Sequence, residues 1–396
     1  MSSESPVTEQ TNELWGEDWP QVRALWPLEH TVSHLNHGSF GAVPTPVLDE
    51  QQSWRARMEA NPVRFFVREQ PEALDQAREE IAHFLGAEPE ALAFVRNATA
   101  AASTVLSCLD LALDDEILVT DHTYGAVRIA ADRWAGDVGA KVVVAHVPLS
   151  AADDEATAAV LAKVTDRTRL TVIDHVTSST ARRMPLVSLV PALKERGTAV
   201  FVDGAHAAGM LAVELDHLGA DFWAGNLHKW CCAPRGTAVL HVAPERRARM
   251  RPLVASWAEP TGFPQSFNDV GTEDLTAWLA APRALRLLDQ LGFDRLRRHN
   301  VELAVHGQRV LAETLGLDVA TLPRDPAVSM QLVPLPAGLA SSPGEAAALQ
   351  SQIGEQIAVE VAVTSWAGQG FVRLSAQVYN SPADFARLAA DLPALL

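Results

Sequence analysis

The sequence predicts an α/β protein, with a mainly parallel sheet in a large domain and a smaller α+β domain after it. Three observations carry that expectation. From about residue 74, helix-period segments alternate with short apolar runs, and the breaks fall at Gly or Pro. The runs are rich in β-branched residues and short enough to be strands buried on both faces. Past about residue 290 the pattern changes to amphipathic helices with short strands, which marks a second domain. The expected division is an N-terminal tail and arm over 1–30, a large domain over 31–290 and a small one over 291–396.

The elements follow in chain order. In "ALDQAREEIAHFLG", Leu74, Ala77, Ile81, Phe84 and Leu85 fall on one helical face, and Gly86 suits a C-terminal stop. The runs "EILVTD", "KVVVAHV", "RLTVIDHV" and "TAVFVDG" have the lengths of buried strands. Between the last two, "PLVSLVPALKERG" reads as the crossover helix of a βαβ unit. Asp203 then stands at the carboxyl end of its strand, the edge at which open α/β sheets bind ligands. "GTEDLTAWLAAPRALRLLDQLG" reads as a loop and a long helix, and "SSPGEAAALQSQIG" as a loop leading into another. No internal repeat interrupts this order.

Composition narrows the function. With 48% hydrophobic and 20% charged residues, 396 residues can bury a large core. Lys plus Arg is 32 and Asp plus Glu is 49, so a formal charge of −17 repels phosphate backbones and anionic membranes. The opening "MSSESPVTEQTNE" has no basic end or apolar stretch of a signal peptide, and no apolar run reaches spanning length. A soluble cytoplasmic protein is expected. Three cysteines, Cys108, Cys231 and Cys232, give neither a disulfide framework nor a paired-thiol metal spacing, and no metal is expected.

Several familiar sites are missing: there is no phosphate loop, no G-x-G-x-x-G after a strand and no H-E-x-x-H. "HGSFG" sets Ser39 between glycines without the spacing of a nucleophile elbow, which leaves a serine hydrolase weakly supported. What remains is a series spread along the chain: "RNATAAAS", "DHTYGA", "HVTSST", "VDGAHAAG" and "GNLHKW". Most of these sit where a strand hands over to a loop or helix.

Together with "HLNHGSFGAVP", "NPVRFFVRE", "HKWCCAPRG", "GTED" and "VRLSAQVYN", this series resembles the class V aminotransferase family of pyridoxal-phosphate enzymes, in its isopenicillin N epimerase-like branch. The resemblance covers most of the chain. It implies a fold-type-I transferase, pyridoxal 5'-phosphate as cofactor, an amino-acid substrate, a place in secondary metabolism such as antibiotic biosynthesis, and a homodimer with active sites at the subunit interface.

Each residue also has a physical reason. A pyridoxal aldehyde is held by a primary amine that can exchange with the substrate's, and Lys229 is the candidate. A lone lysine is by default a solvated charge; within "GNLHKW", after a strand-end aspartate, that expectation reverses. The ring nitrogen needs a carboxylate, and Asp203 fits. The phosphate wants backbone N–H groups at a helix start, which Ala98 and Thr99 offer. A flat ring gains from an aromatic face, for which Tyr124 is favoured and His122 is the alternative. By resemblance, His206 and Ser178 reach the ring's phenolic oxygen, Asn226 and His228 add contacts from the lysine loop, and Thr272 reaches the phosphate from a neighbouring subunit.

Near the C-terminus, Arg373 matches the arginine that clamps a substrate carboxylate in this family, where a planar fork suits the ligand. Asn36, His37 and Ser39 would form the substrate mouth, although a glycine-rich turn accounts for that stretch almost as well. Arg68 faces either the active site or the dimer seam. The chain departs from the family pattern at Glu273, where arginine is usual, and at Ala181, where glycine is usual and Arg182 and Arg183 follow.

Lys229 is expected to remove the proton at Cα. Reprotonation on the other face gives epimerisation, loss of a group from Cβ gives a lyase, and protonation elsewhere gives transamination. A decarboxylating deaminase and a non-catalytic binding protein are further readings. Desulfurases of this family need a nucleophilic cysteine well after the lysine, and residues 233 to 396 contain none. Cys231 and Cys232 read as small buried fillers.

Overall fold

A computed structural model of the chain describes residues 15–323 and 325–396. Much of the expected N-terminal tail, residues 1–14, lies outside the described residues. The chain divides into two compact units. The larger comprises Gly38–Gln290 with the described part of 323–328; the smaller comprises the described residues through His37, Leu291–Leu322 and Ser329–Leu396.

The larger unit is built on a seven-stranded sheet: β1 (Leu92–Val95), β2 (Glu116–Thr120), β3 (Lys141–Ala145), β4 (Thr168–Asp174), β5 (Ala199–Asp203), β6 (Phe222–Asn226) and β7 (Ala238–Val242). Their order across the sheet is β1-β7-β6-β5-β4-β2-β3. From β6 to β3 all pairs are parallel; β7 runs antiparallel to both β6 and β1. Two reversals bring β1 back to the direction of the parallel set, so its carboxyl end joins theirs at one edge. Side chains such as Val119, Val172, Phe201 and Ala224 are buried in one apolar cluster with Ala101 and Val105 of the helix Ala98–Ser107.

The four expected strands are β2 to β5, and the crossover helix is Leu186–Glu195. The helix Gln70–Leu85 buries Leu74, Ala77, Ile81 and Leu85 and stops at Gly86, which has φ +59° and donates its N–H back to the last turn. Three strands were not anticipated: β1, β6 and β7. The short β6 gains its place through Trp223, whose ring lies so close to Gly204 and Gly225 that a Cβ on either would come within 2.2 Å of it. The contact with Gly204 crosses to the end of β5 and leaves no trace in the periodicity of β6.

The smaller unit carries β8 (Met330–Pro334), β9 (Ala362–Trp366) and β10 (Gln369–Ser375) as an antiparallel sheet with β10 in the centre. Its core joins Val333, Val372 and Leu374 to Leu303 of the helix Phe293–Thr314 and Phe385 of the helix Pro382–Asp391. The expected helix near 343 runs from Pro343 to Ile357 and opens on a capping box between Ser342 and Glu345. No helix among the described residues is long and apolar enough to cross a membrane.

Candidate active site

Strand ends in the larger unit line a cavity of about 280 Å3. Past β1 come Asn97, Ala98 and Thr99; past β2, Tyr124; from β4, Asp174, Val176 and Ser178; from β5, Asp203, Ala205 and His206; from β6, Asn226, His228 and Lys229. Ser39 and Phe40 complete the wall. Sequence reasoning named most of these residues, and the fold gathers them because parallel strands present their carboxyl ends at one edge.

Lys229 Nζ lies 3.1 Å from His206 Nε2, and Trp230 Nε1 donates to His206 Nδ1 at 3.4 Å. An indole N–H can only donate, so Nδ1 carries the lone pair and a neutral His206 holds its proton on Nε2. Nε2 therefore faces the lysine amine. The lysine loop is pressed against the "HGSFG" turn. Gly41 has φ +69°, and a Cβ there would stand 2.0 Å from the His228 carbonyl oxygen. Arg235 donates to the Gly41 carbonyl at 2.9 Å and ties the two segments together.

Asp203 is buried, and its Oδ1 accepts the Ala205 N–H at 3.0 Å. Desolvation pushes its pKa up, while the Ala205 N–H and the charge of Lys229 pull it back. Beside it, and unforeseen from the sequence, stands a second buried acid. Asp174 is the register partner of Asp203 on β4, and burial together with the Asp203 charge holds its carboxyl well above the ordinary range. The signal was present in "VIDHV", since this aspartate also ends a strand.

At the other end, Asn97 caps the helix Ala98–Ser107 by accepting the Ala100 N–H at 2.8 Å, and Asn226 Oδ1 accepts the Ala98 N–H at 2.9 Å. Asn226 therefore braces the helix start. His228 hydrogen-bonds the Thr237 carbonyl through Nδ1 at 2.9 Å, and burial lowers its pKa to about 4. A carbonyl only accepts, so Nδ1 holds the proton and Nε2 offers a lone pair. An anion contact at His228 requires that nitrogen to take up a proton first.

Other expected residues lie away from the cavity. His122 is buried, with Nδ1 2.7 Å from Thr180 Oγ1 and Nε2 2.7 Å from the Val147 carbonyl; Tyr124 lines the cavity and His122 does not. Thr272 is exposed on the loop before the helix Thr276–Leu291, and its neighbour Glu273 pairs with Arg96. Arg68 is exposed. Arg182 donates to the carbonyls of Leu149 and Ala151, and Arg183 pairs with Asp325, so both fasten loops rather than line the pocket. Ala181 adopts φ +49°, the left-handed region that explains why glycine suits this position. Cys231 and Cys232 are fully buried.

Within the smaller unit, Arg373 is buried on β10 and its Nη2 donates to Asn36 Oδ1 at 3.2 Å. His37 Nδ1 is 2.9 Å from the Tyr379 hydroxyl, and Gln377 lies 3.3 Å from its Nε2. Of the four residues expected to bind substrate, Asn36, His37 and Arg373 belong to this unit, and Ser39 lines the cavity of the larger one.

The donor set of the cavity fits pyridoxal phosphate. It offers a primary amine for the aldehyde, a buried carboxyl for the ring nitrogen, a tyrosine face, and a helix start with the Thr99 backbone for the phosphate. Burying a carboxylate is costly, and a protonated ring nitrogen would relieve that cost.

The aminotransferase class-V family pattern matches residues 40–388. The chain is 35% identical to an isopenicillin N epimerase of Streptomyces clavuligerus over 96% of this chain and 98% of that one. It is 30% identical to a putative L-cysteine desulfhydrase 1 of Oryza sativa subsp. japonica, covering 93% of this chain and 84% of the other. A solved structure of the cystine C–S lyase C-DES with its product cysteine persulfide superposes with a TM-score of 0.80 at 20% identity, over 92% of this chain and 97% of that one, a likeness of fold.

Proposed function

The chain belongs to the class V aminotransferase family of pyridoxal-phosphate enzymes, and from that premise we propose that it epimerises an amino acid or amino-acid conjugate at Cα. The observation that carries the reading is the lysine amine of Lys229 in a cavity that also holds the buried carboxyl of Asp203. Bound pyridoxal phosphate supplies an electron-withdrawing ring that stabilises the charge left at Cα. Lys229 would hold the cofactor, and its amine would take the Cα proton; epimerisation then requires a proton delivered from the opposite face, since return from the same side restores the starting configuration. Asp203 keeps a proton on the ring nitrogen, and the start of the helix Ala98–Ser107 holds the phosphate. Tyr124 covers one face of the ring, while Ser178 and His206, whose Nε2 proton faces inward, orient its phenolic oxygen. Near-full-length similarity to an isopenicillin N epimerase supports this choice among the family's reactions.

A second reading is supported by the relatives named as L-cysteine desulfhydrases: cleavage of a C–S bond at Cβ of a cysteine conjugate. The absence of cysteine over residues 233 to 396 argues against a persulfide-forming desulfurase, because no thiol after the lysine loop could accept sulfur. One experiment separates the two. Incubated with a cysteine thioether in deuterated water, an epimerase returns intact substrate with deuterium at Cα and inverted configuration. A lyase releases pyruvate and free thiol, and that product would overturn the epimerase reading.

A further inference from the structure

We propose that Asp174 is a positioning residue of this site, held as a neutral acid beside Asp203, so that the two carboxyls carry one negative charge between them and that charge rests on Asp203. Asp174 and Asp203 are register partners on the parallel strands β4 and β5, so their side chains leave the sheet on the same face from backbones one strand spacing, ~4.8 Å, apart. Both line the cavity, and they are 2% and 4% exposed. Two carboxylates this close and this dry cannot both ionise without a cation for each.

The surroundings decide which acid keeps the proton. Asp203 accepts the Ala205 N–H and feels the charge of Lys229, so it is the better home for the negative charge. Asp174 has backbone N–H groups beside it, its own and that of Tyr124, but the Asp203 charge opposes its ionisation, and its Oδ2 is buried with no hydrogen-bond partner among the described residues. A bare buried carboxylate oxygen beside a second carboxylate is the less favourable state, and a proton on Oδ2 removes its charge. The other titratable groups around the cavity are Tyr124, His206, His228 and Lys229, and His175 follows Asp174 in the chain. Burial keeps His228 and His175 neutral at pH 7, so neither supplies the missing cation. The direction in which burial and Asp203 move the Asp174 carboxyl agrees with this assignment.

The consequence for the cofactor rests on the reading above: a single negative charge matches the single positive charge of a protonated ring nitrogen, and Asp174 adds a hydrogen-bond donor rather than a second anion. The pairing itself is a property of the chain and is tested on the chain. Infrared difference spectra of the full-length protein at neutral pH, wild type minus Asp174→Asn, should show the C=O stretch of a protonated carboxylic acid; carboxylate bands in its place would overturn the proposal. Asparagine mimics the neutral acid, so the variant should also keep its ability to bind pyridoxal phosphate.

A second readout is the melting temperature of the cofactor-free protein against pH. A carboxyl whose folded pKa is raised contributes stability that is whole below its ordinary value of 3.8 and is lost as pH rises through the folded pKa. Wild type should therefore lose stability relative to Asp174→Asn as pH rises, and parallel curves would overturn the proposal. If the variant does not fold, wild type carrying isotope-labelled aspartate decides: a labelled acid band at neutral pH supports the assignment and its absence overturns it. Failure of Lys229 to hold the cofactor would sink the proposed function and leave these bands where they are.

Discussion

His206 stands between Lys229 and Trp230, taking the indole N–H on Nδ1 at 3.4 Å and facing the lysine amine with Nε2 at 3.1 Å. The tryptophan that follows the lysine in sequence thus sets which histidine nitrogen holds the proton. Trp230→Phe keeps an aromatic ring, removes the donor and gives up part of the indole's volume at a buried position. The expected result is a folded protein, destabilised by about 1–3 kcal/mol, that still captures the cofactor. Its turnover should fall about 3- to 10-fold, and the absorption of the bound cofactor should change at a different pH. An unchanged rate and an unchanged pH profile would mean that the indole has no say over the His206 proton.

Ala181 occupies a backbone region that side chains enter at a cost of roughly 1–2 kcal/mol, and a β-branched residue fares worse there. Ala181→Val should lower stability by more than about 1 kcal/mol in denaturant unfolding and loosen the turn where Thr177 accepts the Arg182 N–H. Ala181→Gly should be close to neutral, since relief of strain offsets the lost methyl burial and the freer unfolded chain. Equal losses in the two variants would show that backbone conformation is not what limits this position.

Burial lowers His175 and His228 from the ordinary 6.5 to about 4. The unfolded chain then binds more protons than the folded one between those values. The stability these groups contribute is present above pH 6.5 and is lost as pH falls toward 4, on the order of 3 kcal/mol for each. The denaturation midpoint of the cofactor-free protein should drop across that window, and His175→Gln, which keeps an acceptor for the Trp223 indole, should flatten the drop. A midpoint independent of pH there would contradict the burial of both rings as neutral groups.

Much of the cavity was legible in the sequence because strand-end residues follow apolar runs. Asp203 and Lys229 were found that way, Ala98 and Thr99 through the polar turn that opens an apolar helix, and His206, Asn226 and His228 through the family resemblance. Asp174 escaped because "VIDHV" carries its apolar character on to Val176, which hides the strand end at the aspartate. The strand beneath "GNLHKW" escaped because part of what seats Trp223 is its contact with Gly204 past the end of β5, which lies outside the strand's own period. His122 and Tyr124 could not be told apart by spacing, since what separates them is the engagement of the His122 ring by Thr180 and Val147, residues far away in the chain.

The central claim is tested most directly by borohydride reduction of the protein loaded with pyridoxal phosphate, followed by peptide mapping. The account predicts one stable pyridoxyl label, on Lys229, and a colourless, unlabelled but folded Lys229→Ala protein with activity reduced by at least about 10³-fold. A label on another lysine, or none on the wild type, would contradict it.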